Sequence, residues 1–384
     1  MKVLSLALLL GSLLPVAAQL TIPSDGTDGA FNPTANVEID LSLAQSNVWT
    51  APVPGPSMGF GTYDADKWAV VFKYSSVNIP AGVTVTFKNH PTHAPVVWLV
   101  QGNVTIDGVL NLDGEAAVSG VAALIPPEPG PGGFRGAASG PAGPGSGHGP
   151  GGGVQYGNAN HVSSYGNPQI IPLIGGSGSG SHTSVSGSAG GGAILIAASD
   201  TIDIDGSITV RAGTVSAYYG SAGSIRLVAD QVTGSGLLDA SSQIAAANGR
   251  IRVETNMLST GISLTPSTIG VSPGVSPTIF QAASDPTVRI VSIDGVPTPP
   301  DPTAPLVSSA DVAIENNDPV VIVIETRNFA TAGSVVSVRQ AGKFGATFVT
   351  SASYSSGDST MALWEATVTL APGFATMQAR ATAP

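Results

Sequence analysis

The chain has 384 residues, of which 14 are Lys or Arg and 25 are Asp or Glu, giving a net charge of −11 and a charged fraction of 10%, against about 25% in an average soluble protein. There is no basic field for DNA, RNA or an anionic membrane to meet, and so little charge argues against a cytosolic metabolic enzyme. Gly 49 and Pro 30 make up about a fifth of the chain, yet the hydrophobic fraction is 42%, enough for a core and too much for a disordered polymer.

Met1-Lys2 gives a positive start, Val3 to Leu14 is almost wholly apolar, Pro15 breaks the run, and Val16-Ala17-Ala18 places small residues at a cleavage position. This reads as a secretory signal peptide over 1–18, too short to span a bilayer, and no later run approaches the roughly 18 apolar residues a span needs. The mature chain is expected to be exported, extracellular or at the cell surface, with no membrane insertion after signal cleavage. With no cysteine it has no disulfides, so its stability must come from an extended core, and the source is expected to be bacterial.

Residues 19–64 read as an N-terminal capping segment, with turns at Ser24–Gly29, a strand-like Val37-Glu38-Ile39-Asp40-Leu41, and an extended stretch at Pro52, Pro54 and Pro56. No window outside the signal peptide carries a helical apolar stripe, so the chain is expected to be all-β. Apolar residues two apart then recur. They run Val77-x-Ile79-x-Ala81-x-Val83-x-Val85, Val104-x-Ile106-x-Gly108-x-Leu110-x-Leu112, Ile202-x-Ile204-x-Gly206-x-Ile208-x-Val210 and Val232-x-Gly234-x-Gly236-x-Leu238-x-Ala240, with a weaker fifth at Leu258-x-Thr260-x-Ile262-x-Leu264. Another apolar strand precedes each later one, at Val96–Val100, Ala193–Ala197, Ser224–Val228 and Gly249–Val253. The spacings are 27, 30 and 26 residues, with one interval of 98. A period of this size with two or more short strands and Gly turns predicts coils of a parallel β-solenoid that bury alternate residues in one axial core.

On those repeats the chain resembles the secreted right-handed parallel β-helix proteins, the pectin-lyase-like architecture of many bacterial surface proteins. The resemblance covers about residues 65–295 and implies a fold, with no catalytic specificity. The expected architecture is a right-handed parallel β-helix over 65–296, followed by a Pro-rich linker over 297–305 and a small immunoglobulin-like β-sandwich over 306–384, with Trp364 as its core aromatic. The sandwich strands are expected at Val307–Ile314, Val320–Thr326, Ser334–Arg339, Ala346–Ser353, Leu363–Leu370 and Thr376–Thr382. The 98-residue interval is assigned to a Gly-rich loop insertion at about 115–190, with short strands at Gln169 to Ile174 or irregular extra coils left open within it. Between Glu115 and Asp200 its only charges are Glu128 and Arg135, and its Gly spacing fits neither collagen nor a phosphate-binding loop.

The candidate chemistry is sparse. His90-Pro-Thr-His93 is the only close histidine pair, and His148, His161 and His182 lie in Gly/Ser/Asn-rich sequence without neighbouring carboxylates; both sets read as polar turns before metal sites. Asp200, Asp230 and Asn256 precede aligned strands by two residues and should stack at one turn, as amide caps or, less readily, as calcium ligands. Asp203, Asp205 and Arg211 form the densest charged group. An outward ladder Trp98–Leu195–Arg226–Arg252 could grip an acidic glycan. Asp107 aligns with Asp205, but the insertion is expected to separate their coils, which leaves no carboxylate pair for glycoside hydrolysis. Asn103-Val-Thr105 is a glycosylation sequon without force in a bacterium. No catalytic, cofactor-binding or metal-ligating residue is assigned. The expected function is a non-enzymatic extracellular structural or adhesive protein with polysaccharide or other surface proteins as partners. The alternative is a carbohydrate-active β-helix enzyme, a polysaccharide lyase or glycoside hydrolase, carrying a β-sandwich module.

Overall fold

The computed structural model describes residues 20–50, 59–140, 143–153, 162–215, 218–303 and 310–384. The signal peptide expected over 1–18, Pro52, Pro54, Pro56 and His161 lie outside these residues. The described chain is all-β, its few helical turns being short 3-10 segments.

Three sheets of parallel or nearly all parallel strands take successive strands from the chain. The first is built from Ala30–Phe31, Ser76–Ile79, Val104–Ile106, Thr201–Ile204, Gln231–Thr233 and Met257–Leu258. The second is built from Val37–Asp40, Thr84–Lys88, Val109–Asn111, Ser207–Thr209, Leu237–Asp239 and Ser263–Thr265. The third holds Gln45–Ser46, Thr62–Asp64, Ala69–Tyr74, Val96–Val100, Ala193–Ala198, Ser224–Val228, Arg250–Glu254 and Gly270–Val271, with one antiparallel pair between Thr62–Asp64 and Ala69–Tyr74.

Alternation along each strand sends every second side chain inward. Ile106 therefore pairs with Ile204, Ile202 with Val232, and Leu110 with Ile208, then Leu238 and Leu264. These residues join Phe72, Trp98, Ile196, Leu227 and Val253 of the third sheet in one buried cluster. The aligned repeats of the sequence are thus the pairing register, with one slip. Val85, not Val83, pairs with Leu110, because the Pro80–Val83 turn carries two extra residues.

The 98-residue interval does not separate its neighbours. Val104–Ile106 pairs directly with Thr201–Ile204, and Val96–Val100 with Ala193–Ala198. Asp107 and Asp205 consequently follow adjacent strands, contrary to the expectation that the insertion parts them.

Much of the described insertion is buried and is not a set of surface loops, although Val121 and Ile125 stand exposed. Ser177, Ser179, Ser181, Ser186 and Ser188 are all fully buried, as are Ala137, Ala138 and Ala189. Extended segments run side by side and exchange backbone hydrogen bonds in several directions. Gly176 and Ser179 donate to Gly191 O and Ser188 O at 2.7 and 3.0 Å, while Gly175, Gly178 and Ser181 donate to Gly132 O, His148 O and Gly145 O at 2.8, 3.0 and 3.1 Å. The direction of bonding repeats every third residue. That is the period of the polyproline II chain, which makes no internal hydrogen bonds and must find its partners on neighbours. Glycine permits the approach: a methyl group at Gly178 would lie 2.0 Å from Arg135 O, and at Gly190 1.9 Å from Gly176 O. The serines complete the network, Ser181 Oγ donating to Ala138 O at 2.6 Å and Ser221 Oγ accepting from Ser177 N at 2.7 Å. A composition that reads as loop is here a core made of backbone, its buried amides bonding across neighbouring segments.

The C-terminal region is one curled antiparallel sheet ordered Val296–Pro297, Thr287–Ile293, Val320–Arg327, Met361–Val368, Thr347–Gly357, Val335–Gly342, Ala375–Thr382. The long strand Thr347–Gly357 pairs on both sides, so the halves are joined where two separate sheets were expected. Thr287–Ile293 pairs with Val320–Arg327 and belongs here, upstream of the Pro-rich stretch. Of the strand expected at Val307–Ile314, residues 307–309 lie outside the described part and 310–314 form no strand. Trp364 is buried in this region's apolar cluster and donates from Nε1 to Thr326 Oγ1 at 3.0 Å.

Candidate functional site

The arginine ladder expected on the outside is closed. Leu195, Arg226 and Arg252 are in register, but the residue of that row in the preceding strand is Val97. Trp98 faces the opposite way and is wholly buried in the main core. The outward face of the third sheet carries a second apolar layer, in which Val71, Val97, Leu99 and Leu195 are covered by Leu20, Ile22, Trp49 and Phe280. Arg226 lies beneath this cover at 2% exposure. It donates to Glu254 Oε1 at 2.9 Å and to Thr278 O at 2.6 Å, and Arg252 donates to the same carboxylate oxygen at 2.7 Å. Burial lowers the Arg226 pKa, an effect opposed by the Glu254 carboxylate. The triad neutralises a charge that could not otherwise be buried and ties both arginines of the expected ladder to one carboxylate.

The other candidate charges lie nearer the surface but have partners of their own. Arg211 forks onto Asp113 Oδ2 at 2.9 and 2.7 Å, away from Asp203 and Asp205. Asp203 accepts from Thr233 Oγ1 at 2.7 Å, and Asp205 from Ser235 N and Oγ, both at 2.9 Å. Asp230 and Asn256 do stack, Asn256 Nδ2 donating to Asp230 Oδ1 at 2.9 Å, while Gln231 N donates to Asp200 O at 3.2 Å. Among the described residues no group of three or more His, Asp or Glu could hold a metal ion. No helix there is long and apolar enough to cross a membrane.

What the sequence did not disclose is a cleft of about 770 Å³ between the glycine-rich segments and the curled C-terminal sheet. Trp68, Thr92, His93, Phe134, Arg135 and His148 line one wall; Val288, Ile290, Ile293, Met377 and Ala379 line the other. The two nearby histidines part company. His90 stacks on Tyr63 at 4.0 Å with Nδ1 2.8 Å from Thr92 Oγ1, whereas His93 adopts a positive φ of 54° and sets Nε2 3.6 Å from Glu128 Oε2. His148 Nδ1 lies 2.8 Å from Thr376 Oγ1, tying the glycine-rich wall to the sheet. Arg339 reaches back from the sheet to Gly147 O at 2.8 Å. Burial pushes His93 down to about 3, helped by Arg135; burial, then Arg339 and Arg135, pushes His148 down to about 4. Both rings are therefore neutral at neutral pH. His182 packs beside Tyr218, away from this site.

Two of the three sheets of the N-terminal region turn their outward rows to solvent. On the first, Asn78, Thr105, Asp203 and Thr233 stand in register on successive strands, none of them buried. Asn78 Nδ2 donates to Asn32 Oδ1 at 2.9 Å, which extends the row by one residue. Such neighbours are roughly 4.8 Å apart. Compared with family models, curated proteins and solved structures, the chain finds no match.

Proposed function

We propose that this is a secreted, non-enzymatic extracellular protein, structural or adhesive, whose rigid scaffold holds an extended polar face against a polymer such as a polysaccharide. In this reading the three parallel sheets are the faces of one right-handed parallel β-helix like those of pectin-lyase-like surface proteins. The hand follows from the general preference of parallel crossovers, and the curled C-terminal sheet is an immunoglobulin-like module beside it. The observation that carries the proposal is the in-register row Asn78–Thr105–Asp203–Thr233. Short polar side chains repeated at strand spacing suit many weak contacts along a chain. A catalytic site instead needs a few groups held at one point in perturbed states. The enzymatic alternative drew on open arginines at 226 and 252 and on Asp203, Asp205 and Arg211; the first two are tied to Glu254, and Arg211 to Asp113.

Co-sedimentation of the mature protein with a panel of insoluble polysaccharides tests the reading. Binding to at least one polymer is expected, with loss in Thr105→Trp, which breaks the flat row without touching the core. Failure to bind any polymer, or binding that Thr105→Trp leaves unchanged, overturns it.

A further inference from the structure

The cleft has features that the proposed polymer-binding face does not use. Its volume, about 770 Å³, falls within the roughly 300–1,000 Å³ of small-molecule sites. One wall is the seam of the curled sheet: Thr287–Ile293 and Ala375–Thr382 lie near each other at opposite sides of that sheet but are not hydrogen-bonded neighbours. Side chains of its apolar interior, Ile290 and Met377 among them, are only half-buried there and reach the cleft. Facing them, Trp68 and Phe134 stand with ring centroids 6.4 Å apart. Arg289, Thr303 and Asp311 line the cleft away from the glycine-rich end, where Arg135, His93 and His148 stand. Arg135 spends Nη1 on Pro126 O at 2.8 Å and Nη2 on Glu128, but its buried Nε has no partner. That nitrogen is closed to solvent, so Arg135 meets the cleft through the rest of its side chain and carries its charge to this end. Arg339, just behind His148, donates to the neutral acceptors Gly147 O and Gln378 Oε1. Glu128 balances Arg135, and Arg339 remains as a positive charge at this end.

We infer that the cleft binds a small amphipathic anion, its apolar body in the sheet seam between Ile290 and Met377 and its acid group at the Arg135 end beside His148. The inference stands apart from the polymer-binding reading, because no cleft residue belongs to the Asn78–Thr233 row.

The test is calorimetric titration of the whole mature protein with dodecanoate below its micelle concentration, and with dodecanol as the uncharged counterpart. One saturable dodecanoate site per chain is expected, with dodecanol at least tenfold weaker. Ala379→Trp, which fills the cleft and removes no hydrogen bond, should weaken dodecanoate at least tenfold. Met377→Trp serves as the second filling variant if circular dichroism finds Ala379→Trp unfolded. Absence of saturable binding overturns the inference, as does unchanged dodecanoate affinity in a folded filling variant. Equal affinity for dodecanol overturns the assignment of an anionic ligand.

Discussion

A single methyl group added at Gly178 should unfold the protein at a markedly lower temperature. Its Cβ would stand 2.0 Å from Arg135 O, 2.3 Å from Arg135 C and 2.4 Å from Gly136 N, where an ordinary contact begins at 3.4 Å. The neighbouring segment must retreat by more than about 1 Å, and it is rigid backbone that cannot rotate away. Overpacking of a close-packed interior costs roughly 1–3 kcal/mol. The retreat also stretches the bonds from Phe134 N and Ala137 N to Gly176 O and Ser179 O, each 2.9 Å long, at about 1 kcal/mol apiece. Gly178→Ala should therefore lose about 3–5 kcal/mol, a fall in thermal midpoint of roughly 4–7 °C for a chain of this size. Thermal and urea unfolding followed by circular dichroism measure it. Gly274→Ala is the control, since its nearest atom lies 4.0 Å away, and it should stay within about 0.5 kcal/mol of the parent. A Gly178→Ala protein melting within about 1 °C of the parent would refute the idea that this stretch is a packed core.

Three further outcomes follow from the same structure. Because the folded His148 pKa lies near 4 and the unfolded one near 6.5, the unfolded chain takes up the proton first as pH falls. Stability should drop between about pH 6.5 and 4, by about 2 kcal/mol from this residue at pH 5, and His148→Gln should flatten the dependence of the urea midpoint on pH. Glu254→Gln strips the carboxylate from Arg226 and Arg252 and should cost about 3–5 kcal/mol in urea unfolding; a neutral result would mean that the layer over the third sheet is open to water. Trp98→Ala should likewise cost about 3–5 kcal/mol, whereas a surface ladder position would give less than about 0.5.

The first two sheets were legible because each turns one face to the core and one to water, so alternation names the buried residue outright. Ile106, Ile204, Ile208 and Leu238 are examples. The third sheet lies between two apolar layers. Val96–Val100 is an unbroken apolar run in which Trp98 joins one core and Val97 and Leu99 the other, and periodicity cannot assign faces to a strand buried on both. That is how Trp98 came to stand in an outward ladder. The glycine-rich stretch was misread for a different reason. Burial is normally inferred from apolar side chains, and here the buried matter is backbone and serine hydroxyl. A usable signal was present: between Glu115 and Asp200 the chain carries only Glu128 and Arg135 as charges, too few for a solvated loop of that length. The cleft left no local trace, since Trp68, Arg135, Ile290 and Met377 meet only after the chain has folded.

The most direct test of the functional account is turnover by the purified mature protein against acidic and neutral polysaccharides, read by ultraviolet absorbance of unsaturated products for lyase activity and by new reducing ends for hydrolysis. The account predicts binding without turnover: Asp205 is held by Ser235, and Arg226 is sealed beneath Thr278 and Ile279. Product formation that disappears in a folded Asp205→Ala or Arg226→Ala variant would contradict it and make the protein a carbohydrate-active enzyme.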